Sequence, residues 1–136
     1  MSGADPRVTK IFESSGLNND PEEVRAAPLY DSLSERIRLV ERQGPGAILW
    51  DDLARDALEL LAEQSHDLTV AVWGAVALER SEGATGLMLG LMIVRHFLEI
   101  EWDTLYPPPK RERQRRGSIV WLTTQLARVL PEAPFD

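Results

Sequence analysis

The stretch LTVAVWGAVAL, residues 68–78, limits the folds open to this chain more than any other. It is apolar on nearly every side of a helical wheel. A helix of that kind needs neighbours on several sides, so it belongs in the middle of a core. Val70, Val72 and Val76 would also suit a strand. The segment is long, however, and no second strand pattern is present to pair with it, so helix is the expectation. A chain of 136 residues suits a single domain with one core and no need of cross-links.

Helical patterns flank this segment. From Pro28 onward, Leu29, Leu33, Ile37 and Val40 recur at helical spacing, with Glu35, Arg36, Arg38 and Glu41 off the stripe. Gly-Pro-Gly at 44–46 ends that helix. A second is expected from Asp51 or Asp52, whose carboxylates suit a helix N-terminus. Leu53, Ala57, Leu58, Leu60 and Leu61 make its buried side, with Trp50 packed just ahead. The central segment is the third, over about 67–80. Gly83 then suits a left-handed position after a helix end. The fourth covers about 86–102, with Leu87, Leu91, Val94 and Leu98 on one face and Met88, Met92 and Ile100 beside it. Gly86 and Gly90 would let the third helix come close, with Ala71, Gly74 and Ala75 opposite. Three prolines at 107–109 stop it. A fifth runs over about 113–130, with Ile119, Leu122, Leu126 and Val129 inward.

Residues 1–27 lack periodicity and read as an irregular N-terminal arm, packed over the domain through Val8, Ile11, Phe12 and Leu17. Residues 28–136 form the domain. The expected architecture is all-α, a compact bundle of about five helices. Trp50, Trp73, Trp102 and Trp121 are expected to converge on its core.

The search for chemistry is mostly exclusion. There is no cysteine, so disulfides, thiolate metal sites and cysteine nucleophiles are ruled out. A net charge of −7 works against nonspecific binding to nucleic acid or anionic membrane. The N-terminus has no apolar signal region. The most apolar run, 84–94, is short of the roughly 20 residues a bilayer crossing needs, so a soluble protein is expected. His66 and His96, the only histidines, read as partly exposed surface or capping residues. His96 shares a helix face with Glu99, but Glu101 and Asp103 read as pointing elsewhere, and zinc needs three or four convergent ligands. Ser14 and Ser15 lack the strand–turn–helix elbow of a hydrolase. The glycine clusters match no phosphate loop. No catalytic residue, metal or cofactor is therefore expected, and no enzyme activity. KRERQRR at 110–116 is the one cationic patch, and Lys110, Arg111, Arg113 and Arg116 form a candidate interaction surface. With Trp102 and Tyr106 nearby, nucleic-acid or anion binding through 110–116 is the alternative function, though one patch is a weak footprint on an acidic chain.

HDLTVAVWGAVALERSEGATGLMLGLMIVRHFLEIEWDTLYP, residues 66–107, resembles the core of the ImpA-type N-terminal domain of TssA proteins, from the bacterial type VI secretion system. Asp67-Leu68 opens a helix that reaches Trp73. Gly83 leads to Gly86-Leu87 and Gly90. Trp102-Asp103 precedes Tyr106-Pro107. After a variable loop, RRGSIVWL brings in Arg115 and ends in Trp121-Leu122. The likeness covers about 28–130. It departs at His66, where a lysine is common, and at Gly117-Ser118. These signature positions are expected to be structural.

The resemblance implies a cytoplasmic assembly factor that helps connect membrane complex, baseplate and growing sheath and tube. It would work by docking to those subunits. Members of the family are usually longer, with C-terminal regions that build a ring, so any homo-oligomer is expected to form through regions absent here. Trp102 and Tyr106 are expected to bury their rings at the end of the bundle. Arg115 opposes the helix dipole at a helix start, so a carboxylate or carbonyl partner is expected, Asp103 or Asp67 first.

Overall fold

A computed structural model describes residues 5–14 and 19–128. Among them the secondary structure is helical: α1 Pro6–Glu13, α2 Pro21–Ala26, α3 Pro28–Gln43, a 3-10 turn Pro45–Ala47, α4 Trp50–Glu63, α5 Leu68–Ile100 and α6 Glu112–Ala127. The one β-type contact is an isolated bridge between Asp67 and Tyr106. The bundle is all-α, as the periodicities require. Leu17 and Val129, expected to pack on the core, lie outside the described residues.

The middle of the molecule is the first half of α5, where every residue from Val70 to Leu78 is buried. α4 is its principal neighbour and α6 the next. α4 brings Leu53, Ala57, Leu60 and Leu61 to the interface, all fully buried. α3 closes the other side of α4 through Leu33 and Ile37.

The third and fourth helices are continuous in space, and Gly83 divides them. Its φ of 71° and ψ of −145° break the helical path in α5. A side chain would be strained at that φ, which explains the glycine. Beyond the break the helix leans back on its own first half. A Cβ on Gly90 would lie 2.4 Å from Ala75 Cα, and one on Gly86 2.1 Å from the Leu78 carbonyl oxygen. The predicted close approach is therefore real at Ala75, whereas Gly74 faces Ala57 of α4 and not the second half. The inward face differs from the expectation, being formed by Gly86, Gly90, Ile93, Val94 and Phe97. Leu91 is exposed instead, because the glycines and not the leucines set which side meets α4 and the first half.

Two further differences have plain causes. The N-terminal arm is not irregular: it holds α1 and α2, each opened by Asp-Pro. Asp5 accepts a hydrogen bond from the Arg7 amide, and Asp20 one from the Glu22 amide, with proline in the first helical turn each time. Helices of eight and six residues are too short to show a period. The tryptophans do not converge: Trp73 is buried, Trp50 and Trp121 are half-buried, and Trp102 is 48% exposed. α4 starts one residue earlier than predicted, at Trp50, whose indole N–H donates to the Pro45 carbonyl at 2.9 Å.

Candidate functional site

Asp67, Leu68, Pro107 and Arg115, four of the residues read from the sequence as family positions, meet around the N-terminal end of α5. Asp67 caps that helix, its carboxylate accepting from the amides of Thr69 and Val70 at 2.9 and 3.3 Å. The same carboxylate, 1% exposed, receives Arg25 from α2 at 2.8 and 3.1 Å. Burial disfavours the charge on Arg25, but the paired Asp67 more than offsets it, so the guanidinium pKa is raised. The loop after α5 joins through main chain: Leu68 N–H donates to the Tyr106 carbonyl and Tyr106 N–H to that of His66. Arg25 lies over the Tyr106 ring at 4.7 Å. The Tyr106 hydroxyl donates to Glu22 and accepts from Arg111. Burial and then the Glu22 bond push the tyrosine pKa up, and the tyrosine hydroxyl, ahead of Arg111, holds Glu22 down. The Tyr106–Pro107 peptide is cis.

Arg115 fixes the rest of this loop, with partners other than those first expected. Its buried guanidinium donates to three main-chain carbonyls: Pro107 at 2.6 Å, Trp102 at 2.7 Å and Leu105 at 2.8 Å. Asp67 is taken by Arg25. Asp103 acts only through its charge, opposing the burial that lowers the Arg115 pKa. Tyr106 buries its ring as predicted. Trp102 does not: it lies outside, with the Arg115 guanidinium 4.5 Å above its ring.

The basic loop is less available than its composition suggests. Arg111 reaches Glu22 at 3.3 Å and Arg116 reaches Glu112 at 2.6 Å. Lys110 and Arg113 make no ion pair among the described residues. Half of the proposed cationic surface thus already has an anion beside it.

Both histidines are placed differently from the expectation. Glu101 is buried between them, with His66 Nδ1 2.6 Å from one carboxylate oxygen and His96 Nε2 3.1 Å from the other. Phe12 stacks on His96 and Phe97 on His66. His66 Nε2 is 2.8 Å from the Ser14 hydroxyl. This is the hydrogen-bond order of a serine–histidine–carboxylate relay. Ser14, however, closes the C-terminal end of α1, its hydroxyl donating to the Ile11 carbonyl at 2.6 Å. Neither Ser14 nor His66 lines the main surface cavities. The cluster clamps α1 to both ends of α5. The sequence signal for it was weak, since its members lie 52 and 35 residues apart.

One feature of the described surface is apolar. The most apolar 18-residue stretch of α5 has a mean hydropathy of 1.3, yet only 28% of it is buried. By length and composition α5 matches a membrane-crossing helix, while its first half is the core of the bundle. On the second half Met88 is 63% exposed, Met92 43% and Leu91 40%. With Ala84, Leu87 and Arg95 they line a shallow groove of about 400 Å³. Exposed apolar surface that is contiguous marks a contact site more often than scattered residues do.

The family model for ImpA, N-terminal, type VI secretion system, matches residues 15–124. The chain belongs to that family. No curated protein and no solved structure matches it. In this ImpA N-terminal domain, Asp67, Leu68, Trp73, Gly86, Gly90, Pro107 and Arg115 sit in the buried frame. Gly83 is exposed and supplies the break, while Leu87 and Trp121 are half-buried. The apolar groove has the signature position Leu87 at its edge, but Met88, Leu91 and Met92 were read from sequence as core.

Proposed function

We propose that this domain is a docking module of a TssA-like type VI secretion assembly factor. It would bind a subunit of the membrane complex, the baseplate or the growing sheath and tube, and it would do so without catalysing a reaction. Membership of the type VI secretion family carries this reading. The geometry favours the second half of α5 as the docking face over the basic loop. Met88, Leu91 and Met92 offer flexible apolar contact to an apolar helix face of the partner. Arg111 and Arg116 are already paired.

The test is affinity capture from a lysate that carries type VI machinery, read by mass spectrometry. Wild-type domain is expected to retain a baseplate, sheath, tube or membrane-complex subunit. Leu91→Glu with Met88→Glu should lose it, and Arg113→Glu should keep it. Loss on Arg113→Glu alone would return the docking face to the basic loop. Failure of the wild-type domain to retain any of these subunits would overturn the docking reading.

A further inference from the structure

A second surface lies well away from the signature loop. It is about 20 Å along α5 from Asp67, at 1.5 Å per residue. A cavity of about 700 Å³ opens there between the end of α3, the 3-10 turn and the last turns of α6. Its walls include Glu41, Pro45, Arg80, Trp121, Gln125 and Arg128.

Arg80 is the unusual member. Its half-buried guanidinium lies 4.8 Å from the Trp50 ring centre, and Nη2 donates to Gln125 Oε1 at 3.2 Å. Its Nε–H is buried and has no acceptor. No carboxylate stands within ion-pair distance of it among the described residues. Of the other arginines of similar or deeper burial, Arg25 is answered by Asp67, Arg36 by Asp56 and Arg111 by Glu22, while Arg115 donates to three carbonyls and keeps one buried N–H without an acceptor among the described residues. An unanswered half-buried cation is costly in a chain whose net charge is −7 and which has carboxylates to spare.

A second buried donor belongs to a residue of the same wall. Trp121 Nε1–H is also buried without an acceptor among the described residues, and Trp121 lines this cavity as well as a smaller one beside Trp73. Buried N–H groups are nearly always paired, so two orphans on residues that line one cavity call for an acceptor that the described residues do not supply. Arg128 adds an exposed cation with no ion pair among the described residues. The acceptor's chemistry follows from the walls. A guanidinium fork matches the plane of a carboxylate. Glu41 on the same wall works against phosphate and polyanions, which carry more charge. Val40, Pro45 and the indole of Trp121 give an apolar side.

We propose that this cavity binds a single carboxylate, carried next to an apolar side chain on an acidic peptide segment of a partner protein. Arg80 is the charge partner. The Trp121 indole N–H is the second donor, directly or through one ordered water. The carboxylate site stands by itself, and only the assignment of its partner to the secretion machinery rests on the docking reading.

The probe is N-acetyl-L-phenylalanine, which carries one carboxylate beside one ring, followed through the indole N–H resonance of Trp121. The expected result is a saturable shift, absent with N-acetyl-L-phenylalanine amide and weaker with inorganic phosphate. Arg80→Gln should weaken binding about tenfold or more. Arg128→Gln, at an exposed position that leaves the fold intact, should weaken it less, with a shallower salt dependence. In Trp121→Phe the Gln125 amide resonance takes over as reporter. No saturable shift, or equal binding of acid and amide, overturns the site. Tighter binding of phosphate overturns the peptide assignment. If the wild-type domain captures no secretion subunit while the carboxylate still binds, the docking reading fails and the site stands.

Discussion

The two halves of α5 are made of nearly the same material and meet opposite fates. Residues 68–78 are apolar all round and lie under α4 and α6. Residues 84–100 are equally rich in leucine, isoleucine, valine and methionine, yet Met88, Leu91, Met92 and Ile100 face outward. Hydropathy alone does not separate them. What separates them is the position of the small residues. Gly86 and Gly90 commit one narrow face to the backbone of the first half, and no other helix of the described domain covers the opposite face. The first half is a core by enclosure. The second has a face that no described helix encloses.

The strongest way to break this comparison is Gly90→Leu. The new side chain would begin 2.4 Å from Ala75 Cα, a collision with backbone that cannot be relieved by rotation. Destabilisation of about 5 kcal/mol, or failure to fold, is expected from denaturant unfolding. A stable variant would mean that the halves are held by something other than this contact.

Trp73→Ala comes next. The ring is buried in the first half and packs against Tyr30, with centroids 5.5 Å apart. A loss of roughly 3–5 kcal/mol is expected by the same measurement. Leu91→Ser or Met88→Ser, on the second half, should cost under about 1 kcal/mol, as befits exposed sites, and yet abolish capture of the partner. A cost near that of Trp73→Ala would place the second half in the core and remove it as a docking face.

The smallest effect concerns the strap that crosses near the Gly83 break. Arg7 of α1 pairs with Glu82 at 2.7 Å and with Asp5 at 2.9 Å, and holds both carboxyls below their ordinary pKa. Groups with depressed folded pKa values stabilise above their unfolded values and lose that contribution as pH falls through the folded ones. Acidification from about pH 5 to about pH 2.5 should therefore loosen α1 by no more than about 0.5 kcal/mol, since the pair is partly solvated. Amide exchange in α1 would show it, and Arg7→Gln should remove the dependence. If Arg7→Gln leaves the dependence unchanged, another group is responsible.

Legibility in the sequence followed the kind of force involved. The helices of residues 28–127 were readable because apolar periodicity is a local signal. The break at Gly83 and the approach at Gly90 were readable because few residues other than glycine serve there. The inward face of the second half was misread because exposed Leu91 and buried Ile93 and Phe97 look alike as letters. α6 was only half readable, since Arg115, Ser118 and Gln125 share its buried stripe with Leu122. The polar frame was almost invisible. Arg25 meets Asp67 across 42 residues, and Glu101 meets His66 across 35. Such pairs are set by tertiary placement and leave no spacing to read.

Arg115 has a consequence in time as well as in space. Three carbonyls of the loop 102–107 have no helix or sheet amide to donate to them, and one side chain from α6 serves all three. The Tyr106 amide in turn is held by the His66 carbonyl at the head of α5. An irregular loop of this kind would ordinarily exchange its amide protons through small local openings. Here the opening requires α6 to leave. The Tyr106 amide should therefore exchange as slowly as the amides of the helices around it, and Arg115→Lys, with one donor group where three carbonyls need a fork, should release it ahead of them.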